Sequence, residues 1–155
     1  MLKTFTCTEP EGYAPGVGKT HPAKWELKVQ SSFRDARFPL VQDCRILIYT
    51  DDSEISAASR YVRGEDPNSA LIQGLAVSKA HRGLGLGKYT LGLTFAAILR
   101  ESWVSPMETV YVWAKAHEMN VHSQRVCGEA EMKRLPSEDD PPYQVWAIIL
   151  PALAG

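Results

Sequence analysis

The residues whose spacing most clearly predicts chemistry are Arg82-Gly83-Leu84-Gly85-Leu86-Gly87-Lys88, between an apolar run and a helical pattern. Glycines accept positive φ angles and let a ligand approach the backbone. The first amides of a helix have no intrahelical partner and carry partial positive charge, so phosphate binds well there. Arg82 and Lys88 can add charge-assisted hydrogen bonds. The pattern predicts a phosphate-binding turn; the alternative is a strand–turn–helix connection that binds nothing.

Two widespread phosphate motifs do not fit this loop. A P-loop has a Gly, four residues, and then Gly-Lys-Ser/Thr, but Arg82 stands at the first Gly position and Tyr89 at the hydroxyl position. A dinucleotide fingerprint has Gly-x-Gly-x-x-Gly, whereas Gly83, Gly85 and Gly87 alternate. The loop is therefore predicted to be neither an ATPase site nor a Rossmann turn.

Two other segments imitate functional motifs. Pro15–Thr20 resembles the end of a P-loop, but Tyr13 replaces its first Gly and Pro22 interrupts the helix that should follow. His117 and His122 resemble a zinc-protease pair, but they lie five residues apart instead of four, so the rings leave a common helix face. We therefore predict no nucleotide hydrolysis and no metal.

The pattern Arg-x-x-Gly-x-Gly after a strand ending in Leu75-Ala76-Val77 resembles the central motif of the GCN5-related N-acetyltransferase (GNAT) superfamily. The resemblance implies an α/β (α+β) fold of three layers, with helices flanking a mixed, mostly antiparallel sheet whose central strands splay apart. It also implies that this loop holds the pyrophosphate of acetyl-CoA. The implied cofactor-binding residues are Leu75, Ala76, Val77, Arg82, Gly83, Leu84, Gly85, Leu86, Gly87, Lys88, Asn120 and Ser123.

The second half of the resemblance is weaker. Members often continue with Asn-x-x-Ser/Ala, matched by Asn120 and Ser123, which implies that Asn120 binds the pantetheine arm; an equally good interpretation is a helix cap. The tyrosine that usually protonates the leaving thiolate is Cys127 here, and Glu131-Met132 replaces the usual Gly-Phe. The glutamate that many members carry on the motif strand is Gln73. The general acid is therefore absent or supplied elsewhere.

The implied reaction is direct attack of a primary amine on the acetyl-CoA thioester in a ternary complex. A backbone N–H of Leu75 or Ala76 would stabilise the oxyanion. Candidate bases are Glu54, His117, His122 and ordered water, although both histidines are also typical of a solvent-facing helix. Cys127 is a candidate proton donor, or else a buried inert thiol. We take Leu75, His117 and Cys127 as the catalytic candidates.

The acceptor amine is not encoded by a motif. Small molecules, peptide amines and charged tRNA stay open, although Lys+Arg 17 against Asp+Glu 18 gives no overall attraction to nucleic acid. The resemblance implies that Lys24–Phe38 and Ser137–Tyr143 shape the acceptor groove. Within the latter, Glu138-Asp139-Asp140 either attracts a cationic acceptor or forms a solvated loop. The missing tyrosine and glutamate keep open a catalytically degenerate CoA-binding or regulatory module.

Composition predicts one soluble domain spanning 1–155. The three cysteines are widely spaced, so we expect reduced thiols and a cytoplasmic setting. No segment resembles a signal peptide or a membrane span, and a homodimer is compatible with the sequence.

Local patterns predict most of the secondary structure. One or two short helices are expected in Lys24–Phe38, and further helices from Leu86 to about Arg100–Trp103 and over Glu118–Glu129. Strands are expected at Cys44–Thr50, Ile55–Val62, Ala70–Val77, Thr109–Ala114, Met132–Leu135 and Tyr143–Leu150.

Overall fold

The computed structural model describes residues 2–8, 23–37, 40, 44–51, 54–138 and 140–152. The helices are α1 (Lys24–Arg34), α2 (Leu86–Ile98) and α3 (Val121–Glu129). The strands are β1 (Cys44–Asp51), β2 (Glu54–Arg63), β3 (Ser69–Val77), β4 (Val110–His117), β5 (Lys133–Arg134) and β6 (Tyr143–Leu150). No helix in these ranges is long and apolar enough to cross a membrane.

The six strands form one sheet in the order β1-β2-β3-β4-β6-β5. Every neighbouring pair is antiparallel except β3 and β4, which are parallel. A parallel pair requires a crossover, and α2 supplies it between these two strands. The predicted mixed, mostly antiparallel sheet is confirmed.

Helices cover both faces of the sheet. On one face, α1 and residues 2–8 enclose a core formed by Leu2, Phe5, Cys7, Phe33, Ile55, Ala58 and Ala76. On the other face, α2 and α3 pack over a larger core that includes Tyr61, Ile72, Leu91, Ile98, Val112 and Cys127. The three-layer prediction is therefore confirmed.

Most predicted elements appear close to their expected bounds. The strand over Tyr143–Leu150 is confirmed as β6. The helix expected from Glu118 starts later, at Val121, because the Asn120 side chain caps it. His117 is consequently the last residue of β4, so the helical interpretation of His117 was wrong. The P-loop-like segment Pro15–Thr20 lies outside the described residues.

Candidate functional site

β3 and β4 separate halfway along their length. Their parallel pairing joins Ser69–Ile72 to Tyr111–Ala114 and goes no further. On its other side, β3 stays paired with β2 up to Val77, although Arg60 pairs with Gly74 and Tyr61 with Ile72, which leaves Gln73 as an extra residue. Such a bulge shifts the alternation of the strand by one residue, so backbone groups beyond the bulge point to the neighbour opposite the one they would otherwise face. The predicted splay of the central strands is thus present at this point.

The bulge turns backbone donors of β3 toward the gap. Ser78 N–H donates to the Ser56 carbonyl at 2.8 Å, so this residue faces β2. The N–H groups of successive residues in a strand point to opposite sides. The N–H of Ala76 therefore also faces β2, whereas the N–H groups of Leu75 and Val77 face the side that β4 has left. Of the two N–H groups considered from sequence as oxyanion donors, that of Leu75 faces the gap and that of Ala76 faces β2.

A cavity of about 730 Å³ fills the gap. It extends from α1 on one face of the sheet, between β3 and β4, to α2 and α3 on the other face. Most of the predicted site residues line it: Leu75, Ala76, Val77, Arg82, Gly83, Gly85, Leu86, Gly87, Lys88, His117, Asn120, Ser123 and Cys127. Leu84 is not among the lining residues, and its side chain is 69% exposed.

The glycine loop has the backbone shape that its sequence indicates. Gly83 and Gly85 have φ angles of +82° and +74°, in the left-handed region that favours glycine. Gly85 is the N-cap residue of α2, so the unpartnered amides of the first helical turn follow it directly. At Gly87 an added Cβ would lie 3.0 Å from Val126 Cγ2, so this glycine permits close packing of α2 on α3.

Arg82 reaches away from the loop. Its Nη2 donates to the Cys7 carbonyl and forms an ion pair with Glu26 at 3.0 Å. The guanidinium therefore ties the loop to α1 and to the N-terminal segment. Lys88 is exposed in the first turn of α2 and forms no ion pair with any described residue, so it is the cation of this loop that stays available to an anion.

Asn120 caps α3 and also lines the cavity. Its Oδ1 accepts a hydrogen bond from Ser123 N–H at 3.0 Å, which is the N-cap arrangement considered from sequence. The cap uses the oxygen of the amide. The NH₂ group has no partner among the described residues, so it remains able to donate to a ligand.

Solved structures share this architecture. An acetyltransferase from Thermus thermophilus has 17% identity and a TM-score of 0.60, over 86% of this chain and 79% of its own. A GNAT-family protein from Desulfovibrio desulfuricans has 13% identity and a TM-score of 0.61, over 83% and 82%. Campylobacter jejuni N-acetyltransferase PseH, solved with acetyl coenzyme A, has 10% identity and a TM-score of 0.55, over 81% and 77%.

The chain has the GNAT fold. No protein-family model matches the sequence, and no curated protein matches it. The structural likeness therefore establishes the architecture alone.

His117 is held by three neighbours at the end of β4. Its ring stacks on Trp25 at a centroid distance of 4.3 Å and meets the edge of Tyr143 at 5.4 Å. Met119 N–H donates to its Nδ1 at 3.1 Å. An Nδ1 that accepts a hydrogen bond has no proton, so the neutral ring carries its proton on Nε2. His117 is thus poised to donate from Nε2, which argues against its expected role as a base.

Cys127 is buried where α3 faces the cavity and the core. Burial raises the pKa of its thiol from 9.0 to about 11. A thiol with this pKa is a weaker acid than an ordinary thiol. Proton transfer from Cys127 to a departing thiolate would be uphill, so the buried inert thiol is the better interpretation.

The remaining acid–base candidates are dispersed. Glu54 is exposed at the start of β2 and is not among the residues that line the cavity. His122 lines the cavity from the first turn of α3, where it is exposed. Gln73, the extra residue of the bulge, also lines it but cannot accept a proton. Among the described residues, no group of His, Cys, Asp or Glu could hold a metal ion.

The α1 side of the cavity contains residues that no motif identified. Trp25, Lys28 and Ser32 line it from one face of α1, together with Glu26 and Val29. Asp140 and Tyr143 line it from the late part of the chain. The sequence predicted an acceptor groove in these segments, but of these side chains it singled out only Asp140, as part of the acidic run Glu138-Asp139-Asp140. The available signal was the helical spacing of Trp25, Lys28 or Val29, and Ser32.

Proposed function

We propose that this protein is an N-acetyltransferase that transfers the acetyl group of acetyl-CoA to a primary amine. The supporting observation is the continuous cavity between β3 and β4. At one end it has the glycine loop and the start of α2, which suit phosphate groups. At the other end it has α1, on the opposite face of the sheet. Such a passage lets two substrates meet from opposite sides.

Acetyl-CoA would supply a thioester, and the chain's own groups would orient it. The amides after Gly85 and the Lys88 ammonium suit the pyrophosphate. The Asn120 amide NH₂ suits a carbonyl of the pantetheine arm. The N–H of Leu75 suits the thioester oxygen, because it faces the gap and can stabilise negative charge that develops there.

Little acid–base help is needed from the protein under this proposal. Holding the amine and the thioester in reacting geometry can lower the activation barrier by several kcal/mol, up to about 7–11 kcal/mol. The amine then loses its proton to water, and the thiolate leaves without Cys127. The absence of a glutamate at Gln73 and of a tyrosine at Cys127 is compatible with this reaction.

A second candidate is a CoA-binding module without turnover. It is favoured by the ion pairing of the carboxylates that line the cavity, because Glu26, Glu129 and Asp140 each contact a cation. No described carboxylate in the cavity is therefore free to act as a base.

The test is turnover with a panel of primary amines. Thiol release from acetyl-CoA is followed optically, and the N-acetyl product is quantified by mass spectrometry. We expect thiol and product in equal amounts with at least one primary amine. Reactions without amine, and with tertiary amines that give no stable amide, control for hydrolysis. Saturable CoA binding without product across the panel would favour the binding module, and neither binding nor product would overturn the proposal.

A further inference from the structure

The charges that line the cavity are unevenly balanced. Each described carboxylate there has a partner: Glu26 with Arg82 at 3.0 Å, Asp140 with Lys115 at 2.9 Å, and Glu129 with Arg125 at 2.9 Å. Two lining lysines, Lys28 and Lys88, form no ion pair with any described residue. The cavity therefore has surplus positive charge on both sides of the sheet.

The two lysines serve different ends of the cavity. Lys88 lies in the first turn of α2, beside the loop that suits phosphate. Lys28 lies on α1, across the sheet, where the proposed function places the amine acceptor. A cation on the acceptor side repels a polyamine and attracts an anionic group. The Asp140 carboxylate does not reverse this preference, because Lys115 neutralises it.

A second donor lies on the same side. His117 presents Nε2–H, because Met119 N–H occupies its Nδ1, and Nε2 has no partner among the described residues. Trp25 stacks on this imidazole, and Lys28 follows Trp25 by three residues on α1. Side chains at this spacing are neighbours on one helix face, with Cβ atoms about 5–6 Å apart. The long Lys28 side chain can therefore reach the region beside His117.

We infer that the amine acceptor also carries a carboxylate, which Lys28 and the Nε2–H of His117 bind on the α1 side of the gap. The acceptor class is thus an amino acid or a compound that resembles one, not a polyamine or an aminoglycoside. This inference rests on the proposed function. Lys28 acts here as a specificity residue, since it contacts the carboxylate and not the reacting atoms.

The test compares acceptors that differ only in the carboxylate. The standard amino acids, their primary amides and the corresponding decarboxylated amines are each assayed with acetyl-CoA. We expect the best acceptor to be an acid, with kcat/KM roughly tenfold or more above its amide, as loss of a hydrogen-bonded charge pair predicts. In Lys28→Gln this advantage disappears through a higher KM for the acid, while the decarboxylated amine, which the Lys28 cation can only repel, reacts at least as well as with the wild-type protein.

Lys24→Gln is the matched control. Lys24 lies on the same helix, is exposed, and does not line the cavity, so this variant should keep the preference. His117→Gln should retain part of the preference, because glutamine also offers an N–H donor, and His117→Leu should lose more of it. Turnover of amines that lack a carboxylate but of no amino acid, or an equal effect of Lys28→Gln on both kinds of acceptor, would overturn the inference and leave the proposed function intact. Absence of acetyl-CoA binding by the folded protein would overturn both.

Discussion

The imidazole of His117 shows how a single backbone hydrogen bond constrains the chemistry of a side chain. Its residue type and position suggest a base. With Met119 N–H on Nδ1, however, taking up a proton there would break that bond, and Nε2 already carries the proton of the neutral ring. The described carboxylates that line the cavity are ion-paired as well. Of the bases considered from sequence, the exposed His122 is therefore the one that lines the cavity without such a constraint.

The pH dependence of the reaction should follow the substrate. When water takes the proton of the amine, kcat/KM rises with pH and levels off above the pKa of the acceptor amine. Two acceptors with different amine pKa values should then give profiles whose inflections differ accordingly. The measurement is kcat/KM against pH for wild type, His117→Gln and His122→Gln, and all three should share the inflection. An inflection that is the same for both acceptors and that vanishes in either variant would contradict this prediction.

Secondary-structure elements cooperate at this site in a way that their own sequences do not reveal. The glycine loop, β6 and α2 follow from local patterns, because turn residues and hydrophobic periodicity act within short stretches. The bulge at Gln73 and the early end of β3–β4 pairing depend on partners far along the chain. The same is true of the Arg82 side chain, which extends away from the glycine loop and contacts Glu26, 56 positions earlier in the sequence. Long-range contacts of this kind could not be predicted from one sequence.

The packing of α2 on α3 can be tested through two glycines of one helix. At Gly92 an added Cβ meets nothing within 4 Å, whereas at Gly87 it meets Val126. Gly92→Ala should therefore raise the free energy of unfolding by roughly 0.4–1 kcal/mol, because the unfolded chain loses freedom. Gly87→Ala should give no such gain unless Val126→Ala makes room for the methyl group. Denaturant unfolding of the four variants measures the coupling, and additive effects at Gly87 and Val126 would contradict it.

Across the whole molecule, the two cores hold groups that resist ionisation. Burial raises the pKa of Cys7 in the α1-side core and of Cys127 in the opposite core, each to about 11. Burial and a hydrogen bond to Glu101 also raise the pKa of Tyr61. In the unfolded chain such thiols titrate near 9.0, so the unfolded state loses these protons first as pH rises.

The folded state should therefore weaken at alkaline pH. The contribution of each thiol is fully present below about pH 9 and is lost between about 9 and 11, on the order of 2 kcal/mol per group. Denaturant unfolding between pH 8 and 11 should show a shallower decline for Cys7→Ala and Cys127→Ala than for wild type, and the shallowest for the double variant. Identical slopes in all four proteins would show that these thiols do not carry the effect.

The measurement that bears most directly on the site is calorimetric titration of acetyl-CoA into three proteins: wild type, Gly85→Glu and Gly128→Glu. Gly85 has a positive φ at the N-cap of α2, so glutamate there strains the loop and places a negative charge where phosphate should bind. Gly128→Glu adds the same charge on the exposed surface of α3, outside the residues that line the cavity. We expect saturable binding by wild type and Gly128→Glu, and none by folded Gly85→Glu. No binding by folded wild type, or equal binding by all three, would contradict the assignment of this loop to acetyl-CoA.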